Sequence, residues 1–195
     1  MSREEAQRGR FCAEDEARLL AIAHGSVAHG LRHRRALALE PAREPPALRT
    51  PGASFVTLRT CEGRLRGCVG SLERERTLAE DVAANAFRAA FHDPRFAPVG
   101  PDEIATLELT LSILGEPERI EAASAGELAA RLRCGADGLI LRQGACRATF
   151  LPDVWESIAE PGAFVRALEE KAGISSWNAA VEAFRYATFT IGRRR

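Results

Sequence analysis

The segment Arg64-Leu65-Arg66-Gly67-Cys68-Val69-Gly70 concentrates the chain's chemically capable residues. Read as an extended strand, it sets Arg64, Arg66 and Cys68 on one face and Leu65, Gly67 and Val69 on the other. Glycine inside a strand weakens it, and marks a bulge or a close approach of another group to the backbone. Gly67 and Gly70 beside a thiol would then leave a slot with Cys68 in its wall. Arg66, two residues away, would favour the thiolate, the reactive form of cysteine. The chemistry on offer is attack by Cys68, as nucleophile or covalent acceptor, on a small polar or anionic substrate. Arg66 and Arg95 would grip the anionic group bidentately. A structural cysteine beside bulge glycines is the plainer alternative.

A second segment, His92-Asp93-Pro94-Arg95-Phe96-Ala97-Pro98, places a turn at a helix end. Asp93 and Arg95 either pin that turn as an ion pair or reach into the pocket of Cys68. His92 could act as general base, although a histidine at a helix C-terminus also complements the helix dipole. Two further segments read as structural. In Leu151-Pro152-Asp153-Val154-Trp155 the proline opens a helix, and Asp137 in Gly135-Ala136-Asp137-Gly138-Leu139 is a turn residue.

Composition limits the choices. The chain has 195 residues, 46% of them hydrophobic, enough for one large domain or two small lobes with a buried core. Its 27 basic and 27 acidic residues leave no net charge. That argues against direct nucleic-acid binding, which draws its affinity from phosphate contacts. The basic runs Arg32-His33-Arg34-Arg35 and Arg193-Arg194-Arg195 read as a solvated helix end and a solvated tail. No run approaches the ~18 apolar residues of a membrane span, and the charged start, Met1-Ser2-Arg3-Glu4-Glu5, has no apolar signal core. A cytoplasmic location is expected. The five cysteines, Cys12, Cys61, Cys68, Cys134 and Cys146, are an odd set suited to a reducing compartment. No CxxC pair exists, and His29 and His33 sit among arginines that repel cations. No metal or cofactor is expected, and the residues set no oligomeric state.

The elements that must position Cys68 follow from local signals. Residues 1–11 are polar and expected to be flexible. A helix is expected over 14–37, then a proline-rich connector over 41–51. Strands over 54–60 and 64–72 flank Glu62-Gly63 as a hairpin. Thr77 and Glu80 have the capping-box spacing and open a helix to Phe91. A helical turn over 101–105 leads to a strand over 107–114, and a second capping box, Ser124 with Glu127, opens a helix to Arg133. A hairpin follows, 138–142 and 146–151 around Gln143-Gly144, then helices over 153–159 and 162–172 and a last strand over 183–191. The pattern lacks strict βαβ alternation. It predicts an α+β fold of mainly antiparallel sheets flanked by helices, in two interlocked lobes joined through a shared core. The two hairpins suggest a degenerate duplication of a hairpin–helix unit, within a single domain over 12–191.

These segments together resemble the AMMECR-domain family, known in prokaryotes as protein A of the AmmeMemoRadiSam system. Leu65-Arg66-Gly67-Cys68-Val69-Gly70 matches the family's hallmark. Asp93-Pro94-Arg95-Phe96 with Pro98, Gly138-Leu139-Ile140-Leu141, Leu151-Pro152-Asp153-Val154 and Lys171-Ala172-Gly173 match in order. Asp137 departs from it, since many relatives carry histidine there. The resemblance implies two lobes with a cleft between them, and the company of a Memo-like protein and a radical SAM enzyme. It implies no particular reaction. A cysteine-dependent enzyme centred on Cys68, with Arg66, Gly67, Gly70, Asp93 and Arg95 binding, and a non-catalytic adaptor or carrier subunit both remain open. The adaptor or carrier could serve nucleic-acid or metabolite modification.

Overall fold

The structure is a computed structural model and describes residues 11–192. The chain divides into two compact units. The first runs to Leu114 and resumes at Phe189, and the second comprises Gly115–Thr188.

In the first unit, helix α1 (Ala13–His33) carries Glu14, Asp15 and Glu16 in its first turn and Arg32 and His33 in its last. Both ends suit the helix dipole. Its inner stripe, Leu19, Ile22, Ala23 and Val27, is buried at helical spacing. The proline-rich connector is not featureless. It forms two short 3-10 turns, Pro41–Arg43 and Pro46–Arg49, each opened by a proline. Between them Glu44, 2% exposed, accepts from Arg18 Nε at 2.8 Å and Nη2 at 2.7 Å. The Arg18 guanidinium holds the Glu44 carboxyl below its usual range. Glu44→Ala is expected to lower stability by about 1.5–3 kcal/mol, the scale of hydrogen bonds to a charged group. Urea denaturation of the variant measures this, and a loss under about 0.5 kcal/mol would mean that the connector is not anchored here.

Helix α2 (Leu78–Phe91) starts at a complete capping box. Thr77 Oγ1 accepts from Glu80 N at 3.3 Å, and Glu80 Oε2 accepts from Thr77 N at 3.1 Å. The two helices run past each other in the same direction, since Ser26 Oγ donates to Ala83 O at 2.7 Å and Gly30 lies against Phe87 and Phe91. A two-stranded ribbon pairs β1 (Pro51–Gly52) with β4 (Arg76–Thr77). The main sheet has β2 (Ser54–Arg59), β3 (Leu65–Gly70), β5 (Glu108–Leu114) and β10 (Thr188–Ile191) in the order β10-β5-β2-β3. Val56, Leu58, Leu109 and Leu111 alternate onto its inner face and join Leu78, Val82, Ala86 and Ala89 of α2 in one buried cluster. Strand β3 is left as an edge.

The second unit has β6 (Glu118–Ile120), α3 (Ala125–Arg131), β7 (Gly138–Gln143), β8 (Cys146–Phe150), α4 (Pro161–Ala172) and β9 (Glu182–Tyr186). Its sheet order is β6-β9-β7-β8. Leu139, Leu141, Phe164 and Leu168 centre its core, and Trp155 stacks on Phe164 with ring centroids 3.8 Å apart. Asp137, fully buried, accepts from Arg133 Nη2 at 2.5 Å and Arg133 N at 2.9 Å, and its carbonyl accepts the Trp155 indole at 2.7 Å. The turn residue is thus also a buried anchor.

The two units repeat one topology. Each has a hairpin (β2–β3, β7–β8), a following helix packed on it (α2, α4) and a third strand antiparallel to the hairpin's first (β5 on β2, β9 on β7). The α+β class and both expected hairpins are present, with Gly63 and Gly144 at positive φ in the two turns.

Several boundaries differ from expectation. The last strand is two strands, broken at Ala187, with β9 in the second unit's sheet and β10 in the first's. Apolar patterning runs through both, so the change of sheet leaves no mark in it. In place of one shared core there are two buried clusters, one in each unit. The helix expected over 153–159 is a 3-10 turn, Pro152–Glu156. The second capping box is half made: Ser124 Oγ accepts from Glu127 N, but the Glu127 carboxylate turns to Ala123 N. The flexible terminus expected over 1–11 and the tail Arg193–Arg195 lie outside the described residues, except for Phe11. That residue is buried, 6% exposed, and stacks on Phe189 at 5.7 Å. Among the described residues no helix is long and apolar enough to cross a membrane.

Candidate functional site

The hairpin register pairs Val56 with Val69, Thr57 with Cys68 and Leu58 with Gly67, then Arg59 with Leu65. Arg66 is therefore the extra residue of a bulge. The bulge interrupts the alternation that would have set Arg64, Arg66 and Cys68 on one face. Arg64 lies outside the strand and pairs with Glu62 at 2.5 Å. The guanidinium of Arg66 is held bidentately by Glu103, Nε to Oε1 at 2.7 Å and Nη2 to Oε2 at 3.0 Å. Gly100 N adds a 2.8 Å hydrogen bond to Glu103. Arg66 first, and then that N–H, hold the Glu103 carboxyl below its usual range. The charge of Arg66, expected to serve the thiol, is answered by Glu103.

Because β3 is an edge strand, the peptide groups of Cys68 turn outward from the sheet. Its N–H donates to Asp93 Oδ2 at 2.8 Å, and its carbonyl accepts from Arg95 Nη2 at 3.2 Å. Asp93 and Arg95 are themselves locked together, Nε to Oδ1 at 2.9 Å and Nη2 to Oδ2 at 2.6 Å. The pair gives the edge the donor and acceptor that a further strand would give it. Asp93 is 2% exposed and Arg95 54%. The Arg95 guanidinium, together with the Cys68 and Arg95 amides, holds the Asp93 carboxyl far below the usual carboxylate range, and Arg95 is raised in turn. The thiol is half-buried, and its Sγ accepts from Thr57 Oγ1 at 3.3 Å. All three polar groups of Cys68 thus have a side-chain partner.

The structure overturns the expected role of the glycines as room for a ligand. A Cβ on Gly67 would come 2.1 Å from Ala89 O, a backbone atom of α2, and one on Gly70 would come 2.3 Å from the Phe55 ring. The protein itself fills both spaces. His92 caps α2, and its ring packs against Phe87 with centroids 5.0 Å apart rather than on the thiol. The structure therefore brings Asp93 and Arg95 to Cys68 through its backbone, and sends Arg66 to Glu103.

Two contributors escaped the sequence reading, Thr57 and Glu103. Thr57 could have been found, because pairing counted symmetrically outward from Glu62-Gly63 sets it opposite Cys68. Glu103, 37 residues from Arg66, carries no such signal. Elsewhere, a cleft of about 500 Å³ in the second unit is lined by Arg119, Glu121, Glu127, Arg131, Trp177 and Glu182, among others. Its charges are paired among themselves, Arg119 with Glu121 at 3.0 Å and with Glu182 at 3.4 Å, and Arg131 with Glu127. Among the described residues no three His, Cys, Asp or Glu side chains gather as metal ligands.

The fold and site define a class: an α+β protein of two like-built units, with a half-buried cysteine on a sheet edge sealed by an Asp–Arg pair. The AMMECR1 family model matches residues 20–191, and the chain belongs to that family. A relative from Thermofilum pendens is 38% identical over 156 residues, covering 75% of this chain and 72% of that protein. One from Thermotoga maritima is 35% identical over 158 residues, covering 80% and 85%. The crystal structure of the uncharacterized protein PH0010 from Pyrococcus horikoshii matches with a TM-score of 0.82 at 26% identity, over 93% of this chain and 92% of that one.

Proposed function

We propose that the protein acts through Cys68, as nucleophile or covalent acceptor for a small polar or anionic substrate, within an AmmeMemoRadiSam-type system. The observation that carries this is the threefold hold on one half-buried cysteine: Asp93 on its N–H, Arg95 on its carbonyl, Thr57 on its sulfur. Sealing a sheet edge needs only the first two. In the reaction the sulfur, having given up its proton to water, forms a bond to an electrophilic carbon, and the leaving group departs with the bonding electrons. Arg95, half exposed, grips the substrate's anionic group while Asp93 keeps it in place. Arg66, Gly67 and Gly70 shape the strand that presents the thiol.

A second reading has a specific observation in its favour. Both guanidiniums already hold a carboxylate through two hydrogen bonds each, Arg66 with Glu103 and Arg95 with Asp93. Among the described residues no base is hydrogen-bonded to Sγ, only the Thr57 hydroxyl. A non-catalytic adaptor or carrier for a Memo-like protein or a radical SAM enzyme fits such a site.

Limited alkylation with iodoacetamide and peptide mass mapping separates the two readings. Cys68 is expected to react fastest of the five, ahead of the exposed Cys12, Cys61 and Cys134, and severalfold more slowly in Thr57→Val. A rate no greater than those of the other four cysteines would remove the catalytic reading and leave the adaptor one.

A further inference from the structure

Cationic side chains sit in the last turn of both long helices of the first unit, Arg32 and His33 on α1 and Arg88 on α2, while acidic ones sit in the first turns. In either helix alone this is ordinary dipole complementation. Because the two helices run in the same direction and meet at Gly30, Phe87 and Phe91, their cationic ends coincide. Arg32, His33, Arg34, Arg35, Arg88 and His92 are all exposed there. Among the described residues Arg32, Arg34, Arg35 and Arg88 have no carboxylate partner. The acids nearest in sequence are engaged elsewhere: Asp93 is buried and committed to Arg95, and Glu40 pairs with Arg43 at 2.7 Å. After burial, the charges of His33, Arg35 and Arg32 hold His29 below the usual histidine range, as an unanswered positive field would. Arg34 adds a separate observation. It caps α1 at φ 58°, the one non-glycine residue at positive φ among those described. Glycine takes that conformation without strain, so the backbone does not ask for the arginine.

We infer that the joined C-terminal ends of α1 and α2 form a docking surface for an acidic, Asp/Glu-rich segment of a partner protein. Guanidinium forks match carboxylates two bonds at a time, and the surface supplies four of them without internal partners. Two features favour a protein over a nucleic acid. The footprint is the width of two helix ends. The aromatic rings nearest the patch, Phe87 and Phe91, are turned to Gly30 rather than out for base stacking. The surface is independent of the Cys68 reading and stands or falls apart from it.

Fluorescence anisotropy with a labelled poly-glutamate peptide tests it. A single-stranded oligonucleotide of equal charge at the same ionic strength serves as comparator. The full chain is expected to bind the peptide more tightly than the oligonucleotide, and the affinity to fall steeply with added salt. The variant with Arg32, Arg34, Arg35 and Arg88 all changed to Ser is expected to lose at least tenfold in affinity. Arg34→Gly is expected to weaken peptide binding with unchanged or higher thermal stability, which excludes misfolding as the cause. The inference is overturned by no measurable peptide binding, by tighter binding of the oligonucleotide, or by a quadruple variant that binds as the parent does.

Discussion

Gly67→Ala is expected to destabilise the protein by about 3 kcal/mol or more, the upper end of overpacking changes. The new methyl carbon would lie 2.1 Å from Ala89 O. Ordinary contact needs more than an ångström of further separation. The obstructing atom belongs to the backbone of α2, which cannot rotate aside as a side chain can. The helix would have to lift from β3, and the cluster of Val56, Leu58, Val82 and Ala86 would open with it. Gly70→Ala is a useful control. Its clash, 2.3 Å, is with the half-buried Phe55 ring, which can rotate, so a smaller loss of about 1–2 kcal/mol is expected. Denaturant midpoints for the two variants provide the comparison. A Gly67→Ala loss within about 1 kcal/mol of the parent would show that the strand and helix are not in the contact described.

Asp93→Ala is expected to cost about 3 kcal/mol and to loosen the edge at Cys68. The carboxylate accepts from Cys68 N, from Arg95 N and from the Arg95 guanidinium. Hydrogen bonds to a charged group contribute about 1.5–3 kcal/mol each. The half-exposed Arg95 can return to water, which keeps the total below their sum. Asp93→Asn keeps the shape and an acceptor, and about half the loss is expected. The pH dependence has a definite sign. The folded carboxyl titrates below its unfolded value. Its contribution is therefore fully present above the ordinary aspartate pKa of about 3.9, and is lost as acid carries the pH down toward the folded value. The stability difference between the parent and Asp93→Asn should be level from about pH 5 to 8 and shrink below about pH 4. Using the difference cancels the similar acid sensitivity of Glu44 and Glu103. A difference that grows as the pH falls would contradict this placement. Amide exchange at Cys68 N gives a local readout, and should accelerate in both variants.

The sequence by itself determined what depends on near neighbours. Glu62-Gly63 and Gln143-Gly144 form their turns because glycine takes positive φ without a Cβ penalty, Gly63 at 80° and Gly144 at 58°. Thr77 and Glu80 close a capping box because both partners lie within one helical turn. The motif around Cys68 was legible, and so was the nearness of the Asp93–Arg95 turn to it, although the mode of contact was not. Only the tertiary structure decided how the site is wired. The bulge at Arg66 changes the direction of one side chain, and Glu103 then claims it from 37 residues away. Gly67 reads in sequence as vacant space, and in the fold that space holds a helix carbonyl. Apolar patterning carries β9 and β10 as one strand, yet they join different sheets on either side of Ala187. The arginines of α1 read as a solvated helix end until a parallel α2 sets Arg88 and His92 beside them. Turns and caps are settled within a few residues by dihedral preference and local hydrogen bonds. Which surfaces meet is settled by burial of side chains distant in sequence, and a one-dimensional pattern does not record those pairings.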